Sequence, residues 1–133
     1  MIRQGGHHDL DQITAFDGFT GCRSTEIKDG RLTVLEENGN VVGFIVESRK
    51  GLLGRPYIEY LAISHHYRRK GHAAKLIKAV EAKHTANNLF ISTEATNTAM
   101  LSLLKKEGYK MSGQIANANL SGADELYFFK HID

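Results

Sequence analysis

Apolar side chains recur along this chain in two rhythms, and the segment where one gives way to the other is its most informative part. Residues Arg31 to Glu37 alternate, Asn38-Gly39-Asn40 follows, and Val41 to Glu47 is again rich in β-branched types. Asn-Gly supplies the positive φ angles of a tight hairpin, so these residues predict two antiparallel strands. Tyr57 to Ile63, reached through the glycine-bearing loop Lys50 to Arg55 and through Pro56, reads as a central strand. From Gly71 onward the period changes. Ala73, Leu76, Ile77 and Val80 recur at helical spacing while Lys75, Lys78 and Lys83 occupy other positions. An amphipathic helix therefore follows the central strand almost directly.

Leu89 to Thr93 predicts a short strand. Asn97 to Glu107 predicts a helix with Met100, Leu103 and Leu104 inward, Thr96 or Asn97 as its cap and Gly108 as its stop. Two last strands, Tyr109 to Ile115 and Glu125 to Lys130, flank a polar loop from Asn117 to Asp124. At the front, Ile2 to Gly5 predicts a strand and Asp9 to Phe16 a helix, and the pattern is weakest up to Gly30. Strands clustered at both ends around one crossover point to an α/β fold with a mixed sheet covered by helices.

Composition narrows this further. With 133 residues, 41% hydrophobic and 24% charged, the chain suits one soluble domain over residues 1–133 and contains no stretch long enough to cross a bilayer. Its first residues turn polar at once, unlike a secretory signal, so a cytoplasmic location is expected. Cys22 is the only cysteine, which excludes an internal disulfide or a cysteine-rich zinc site and suggests a buried or idle thiol. His7, His8, His65, His66, His72, His84 and His131 show no metal-site spacing, so no metal is expected. A net charge of +2, with Glu81 among the helix lysines and no interleaved aromatics, argues against a nucleic-acid partner.

Any anion recognition is therefore local, and one segment suits it. Ser64-His65-His66-Tyr67 and Arg68-Arg69-Lys70-Gly71-His72-Ala73 join the central strand to the amphipathic helix. A loop entering a helix offers backbone N–H groups without intrahelical partners, whose partial positive charge favours phosphate or pyrophosphate. Gly71 lets the backbone approach closely, and arginine binds phosphate oxygens bidentately. The segment is neither a Walker loop nor the three-glycine dinucleotide fingerprint. Taken alone, it reads more readily as a solvated basic turn, with Gly71 a turn residue.

With its neighbours, this stretch resembles the GNAT superfamily of N-acetyltransferases, whose signature Q/R-x-x-G-x-G/A lies between the fourth strand and the third helix. Arg68, Gly71 and Ala73 fill the three fixed positions. Gly39 to Val46 and Tyr57 to Ile63 resemble the family's third and fourth strands, and Asn97, Ala99, Gly108 and Tyr109 its later N-x-A…G-F/Y pattern. The resemblance spans about three quarters of the chain. It implies a central, mostly antiparallel twisted sheet with a fourth-strand, third-helix, fifth-strand crossover and helices on both faces. It also implies acetyl-CoA as cosubstrate. The pyrophosphate would rest on Arg68, Arg69, Lys70, Gly71, His72 and Ala73, and the pantetheine arm along the backbone of Leu61, Ala62 and Ile63 in a gap between the fourth and fifth strands. Asn97 would reach the cofactor from the next helix, and a backbone N–H at Leu61 or Ala62 would polarise the thioester carbonyl.

Acyl transfer needs a neutral amine, and deprotonating a lysine-like amine of pKa about 10.4 at pH 7 costs roughly 4 to 5 kcal/mol. Glu59 resembles the family's proposed base, acting through burial or a relaying water, with pairing to a lysine or arginine as its structural alternative. The family's usual proton donor, a tyrosine four residues before the later glycine, is replaced by Leu104. Either Tyr67 or Tyr60 substitutes, or the thiolate leaves unprotonated, or catalysis is weak. His65 and His66 read as a second candidate base or as turn residues. The resemblance thus implies direct transfer of acetyl to a primary amine in a ternary complex, or alternatively a CoA-binding sensor with little catalysis. The closing strands, with Leu126, Tyr127, Phe128 and Phe129, suit either the core or pairing in a homodimer.

Overall fold

The tight turn at Asn38-Gly39 sets the first strand pair. Both residues have positive φ, 53° and 80°, as a two-residue hairpin turn demands. The computed structural model describes all residues from Met1 to Asp133. Its strands are β1 (Ile2–Gln4), β2 (Leu32–Glu37), β3 (Asn40–Leu52), β4 (Arg55–Ile63), β5 (Asn88–Glu94), β6 (Lys110–Ile115) and β7 (Glu125–His131). The helices are α1 (Leu10–Thr14), α2 (Arg23–Lys28), α3 (His72–Glu81) and α4 (Thr98–Lys106). The strands follow the hydrogen-bonded order β1-β2-β3-β4-β5-β7-β6. β4 and β5 are parallel, joined through α3, and β1-β2, β2-β3, β5-β7 and β6-β7 are antiparallel. This is the mixed sheet that the strand clustering predicts.

Two compact units divide the chain, one of residues Met1–Ser48 and Glu59–Lys83, the other of Arg49–Ile58 and His84–Asp133. In the first unit, period-two alternation decides what each sheet face meets. Leu32 and Val34 of β2 stand opposite Val46 and Phe44 of β3, and these four pack with Ile13 of α1 and Ile27 of α2. On the other face Leu35 stands opposite Gly43. A Cβ added at Gly43 would lie 2.7 Å from Ile63 Cδ1 and 3.3 Å from Leu76 Cδ1, so the missing side chain is what lets α3 settle there. Leu76, Ile77 and Val80 of α3 are fully buried, each contributing roughly 2 kcal/mol of apolar burial.

The weakly patterned front of the chain holds elements that polar groups fix. The predicted helix over Asp9–Phe16 resolves into a 3₁₀ turn, His7–Asp9, and α1. Arg3 spans the buried carboxylate of Asp9, at 2.8 and 2.9 Å, and Glu36 of β2, at 2.8 Å. α2 has no counterpart in the periodicity because Ile27 is its only large apolar residue, and it buries the ion pair Arg23–Glu26 (2.8 Å) instead.

In the second unit the segment Lys50 to Arg55 is mostly strand. Leu53 and Gly54 alone make the turn, with φ of 52° and 85°, so β3 runs on to Leu52. Along β5, Leu89, Ile91 and Thr93 are buried in strict alternation. β7 lies between β5 and β6, pairing Phe129 with Phe90 and Phe128 with Met111. α4 starts where Asn97 Oδ1 accepts the Met100 N–H at 3.1 Å. It ends in a Schellman arrangement: Tyr109 N–H reaches Leu104 O at 2.9 Å, Gly108 N–H reaches Lys105 O at 3.2 Å, and Gly108 has φ 88°.

Candidate active site

The junction between β4 and α3 is built from ties at both ends. Ser64 N–H donates to Val42 O at 2.7 Å, a 3₁₀ turn covers His65–Tyr67, and Arg68 Nε donates to Ile63 O at 3.1 Å. Arg69 and Gly71 then take left-handed φ values of 62° and 81°, which reverse the chain into the helix. The first intrahelical bond runs from Lys75 N–H to Gly71 O at 3.2 Å, so the amides of His72, Ala73 and Ala74 precede the helical ladder. No side chain caps this helix start. A Cβ on Gly71 would meet no atom within 4 Å, leaving open space over the backbone. Arg68, Arg69 and Lys70 are exposed around it, and Lys70 Nζ lies 5.4 Å from the Tyr67 ring centroid. Bare amides, a helix dipole, three cations and room for close approach fit a pyrophosphate.

Of the residues the sequence assigns to this cradle, His72 contributes its main chain, while its side chain is turned elsewhere. The imidazole is 7% exposed and its Nε2 lies 3.0 Å from Glu37 Oε2. Leu61, Ala62, Ile63 and Tyr67 are half-buried. Glu59 takes the arrangement weighed as its structural alternative: Arg31 Nη1 donates to Glu59 Oε1 at 2.6 Å and to Glu47 O at 3.0 Å. Tyr60 is engaged through its ring, with the Arg23 guanidinium 4.3 Å above it and Phe19 at 5.2 Å. Burial pushes the Glu26 carboxyl above its usual range, and Arg23 opposes that shift. His65 and His66 are exposed and meet edge-on at 5.5 Å, as turn residues do. Cys22, read as buried or idle, is exposed; the Thr25 hydroxyl donates to its sulfur at 3.3 Å and lowers the thiol pKa.

In the second unit Asn97 is committed through Oδ1 to capping α4. A hydroxyl chain there, invisible to sequence spacing, links Tyr57 to Ser92 at 2.7 Å and Ser92 to Glu125 at 2.7 Å. Burial pushes the Tyr57 phenol up to about 12. Leu104 is 0% exposed, so the residue in the family's tyrosine position is core. Leu104→Tyr is therefore expected to lower stability by about 2 kcal/mol through overpacking. Urea denaturation checks this, and a variant as stable as wild type would show that the position tolerates a phenol.

Sheet order and junction together define an α/β protein that presents an uncapped helix start, flanked by three exposed cations, at the end of a central strand. The chain belongs to the acetyltransferase (GNAT) family, whose family model matches residues 6–109 and so runs through both units. No curated protein matches the sequence. The fold is shared with Ard1 from Thermoplasma volcanium (19% identity, TM-score 0.84, 100% of this chain and 97% of that one). It is also shared with the ribosomal-protein-S18-alanine N-acetyltransferase from Escherichia coli (19%, 0.80, 100% and 94%). A chain of the NatB acetyltransferase complex bound to CoA and MES also matches (20%, 0.84, 100% and 99%). No helix is long and apolar enough to cross a membrane.

Proposed function

We propose that this chain transfers acetyl from acetyl-CoA to a primary amine by direct attack in a ternary complex. The observation that carries the reading is the uncapped start of α3 behind Gly71, with open space over a left-handed backbone and three cations beside it. Family membership supports it, since the motif positions Arg68, Gly71 and Ala73 are those that form this junction. Bound acetyl-CoA would supply the acetyl group as an activated thioester. In this reading Arg68, Arg69, Lys70 and the amides from Gly71 to Ala73 hold the pyrophosphate, and the backbone of Leu61, Ala62 and Ile63 orients the arm. Glu59 accepts the amine proton through a relaying water, with Arg31 fixing the carboxylate, and Tyr67 Oη is the proton donor on the leaving side.

Calorimetric titration with acetyl-CoA, followed by CoA release over a panel of amines, tests the reading. The panel includes a peptide α-amine, because the Escherichia coli structural match is a ribosomal-protein-alanine N-acetyltransferase. Failure to bind acetyl-CoA would sink the proposal, and tight binding without turnover would favour a CoA sensor, the reading that buried Leu104 supports. Glu59→Gln is expected to lower kcat about tenfold with unchanged acetyl-CoA affinity, less than a directly acting base because water shares the proton transfer. An unaltered kcat across pH would assign Glu59 to the Arg31 ion pair alone.

A further inference from the structure

We infer that Glu37 is a positioning residue for the cofactor cradle, acting through His72. This rests on the reading of the junction as a CoA site. His72, Leu76 and Val80 form one i, i+4, i+8 stripe of α3, and all three are buried. An apolar residue would satisfy packing at the first position of that stripe. The chain places there an imidazole that is 7% exposed, with Nε2 in a 3.0 Å ion-pair contact with Glu37 Oε2 and neither ring nitrogen in an aligned hydrogen bond. Burying an incompletely paired polar ring costs stability, so what it contributes is sought in what it connects.

It connects the cradle to a rigid hairpin. Glu37 is the last residue of β2, paired with Asn40 across the Asn38-Gly39 turn. The other end of the cradle loop is tied to the same hairpin, where Ser64 N–H donates to Val42 O at 2.7 Å. Residues 64–72 therefore hang between two attachments to the β2–β3 hairpin, one by backbone at Ser64 and one by side chain at His72. Loss of the second leaves the first turn of α3 free to rotate, and with it the amides of His72, Ala73 and Ala74. A misplacement of well under 1 Å suffices to weaken bonds to a pyrophosphate.

The sign of the effect separates this role from plain electrostatics. By charge alone, removing a carboxylate near an anion site tightens anion binding. Positioning demands the opposite. Calorimetric titration with CoA is expected to show Glu37→Ala and His72→Leu each weakened about fivefold, the size of one half-exposed pair, and the double variant weakened no further. Glu37→Gln and His72→Gln keep a polar group on each side of the contact and are expected within twofold of wild type. Leucine suits the buried stripe and Glu37 is 40% exposed, so the melting temperature of each single variant should stay close to wild type. Tighter or unchanged binding in Glu37→Ala, or loss that simply multiplies in the double variant, would overturn the inference. If wild-type protein itself fails to bind CoA, the cofactor reading falls and takes this one with it. Binding by wild type with indifferent variants removes this one alone.

Discussion

Gly71→Val is expected to weaken CoA binding at least about a hundredfold, close to 2.7 kcal/mol. Two effects combine. The added β-branch fills the space over the backbone that is now open to 4 Å, where a phosphate oxygen must come within hydrogen-bond distance of the helix amides. A β-branched residue at φ 81° is also strained, which lowers stability by about 2 kcal/mol. Gly54→Val isolates the second effect, because Gly54 has φ 85°, equally open surroundings and a place in the β3–β4 turn. Titration with CoA beside thermal melts is expected to show similar destabilisation in both variants and lost affinity in the Gly71 variant alone. Equal affinities would put the pyrophosphate somewhere other than this helix start.

The periodicity carried this junction because it is made of local signals. A strand, a glycine and an amphipathic stripe are all written within Tyr57 to Val80, and the motif residues fall where the structure bends the chain. The later motif was legible for a different reason than function. Asn97 caps α4 and Gly108 closes it, so two of its four matched positions are explained by helix termini. Pairings distant in sequence stayed hidden. Nothing in composition or spacing joins Arg31 to Glu59, 28 residues apart, or Tyr57 to Ser92, 35 apart, because the sheet register that brings them together is a property of the fold. The buried His72 was hidden by the same cause, since its partner Glu37 lies at the end of β2, 35 residues earlier. Loop and strand were also confused where glycine is dense. Lys50 to Arg55 contains two glycines, yet only Leu53-Gly54 needs positive φ.

A polar network at the front of the chain replaces hydrophobic periodicity as its organiser, and its removal is expected to have the second large effect. Arg3→Met should cost about 3 kcal/mol at pH 7, because it strips both guanidinium bonds from Asp9, whose side chain is 3% exposed, and releases Glu36 as well. The pH dependence follows from the direction of the shift. The Arg3 hydrogen bonds hold the Asp9 carboxyl down at about 2 from an ordinary 3.8, against burial, which pushes it up. A depressed folded-state pKa contributes stability that is fully present above about pH 4 and lost as the pH falls towards 2. Without Arg3, only the Gly6 amide and His8 oppose burial, so the carboxyl rises from its wild-type position and the variant loses less stability than wild type as the pH falls. The stability gap between the two proteins should therefore be small near pH 2, open as the pH rises and level off near neutrality. Urea midpoints of both proteins at several pH values measure that gap. A gap independent of pH would mean that Arg3 acts by packing its aliphatic stem rather than by holding Asp9 ionised.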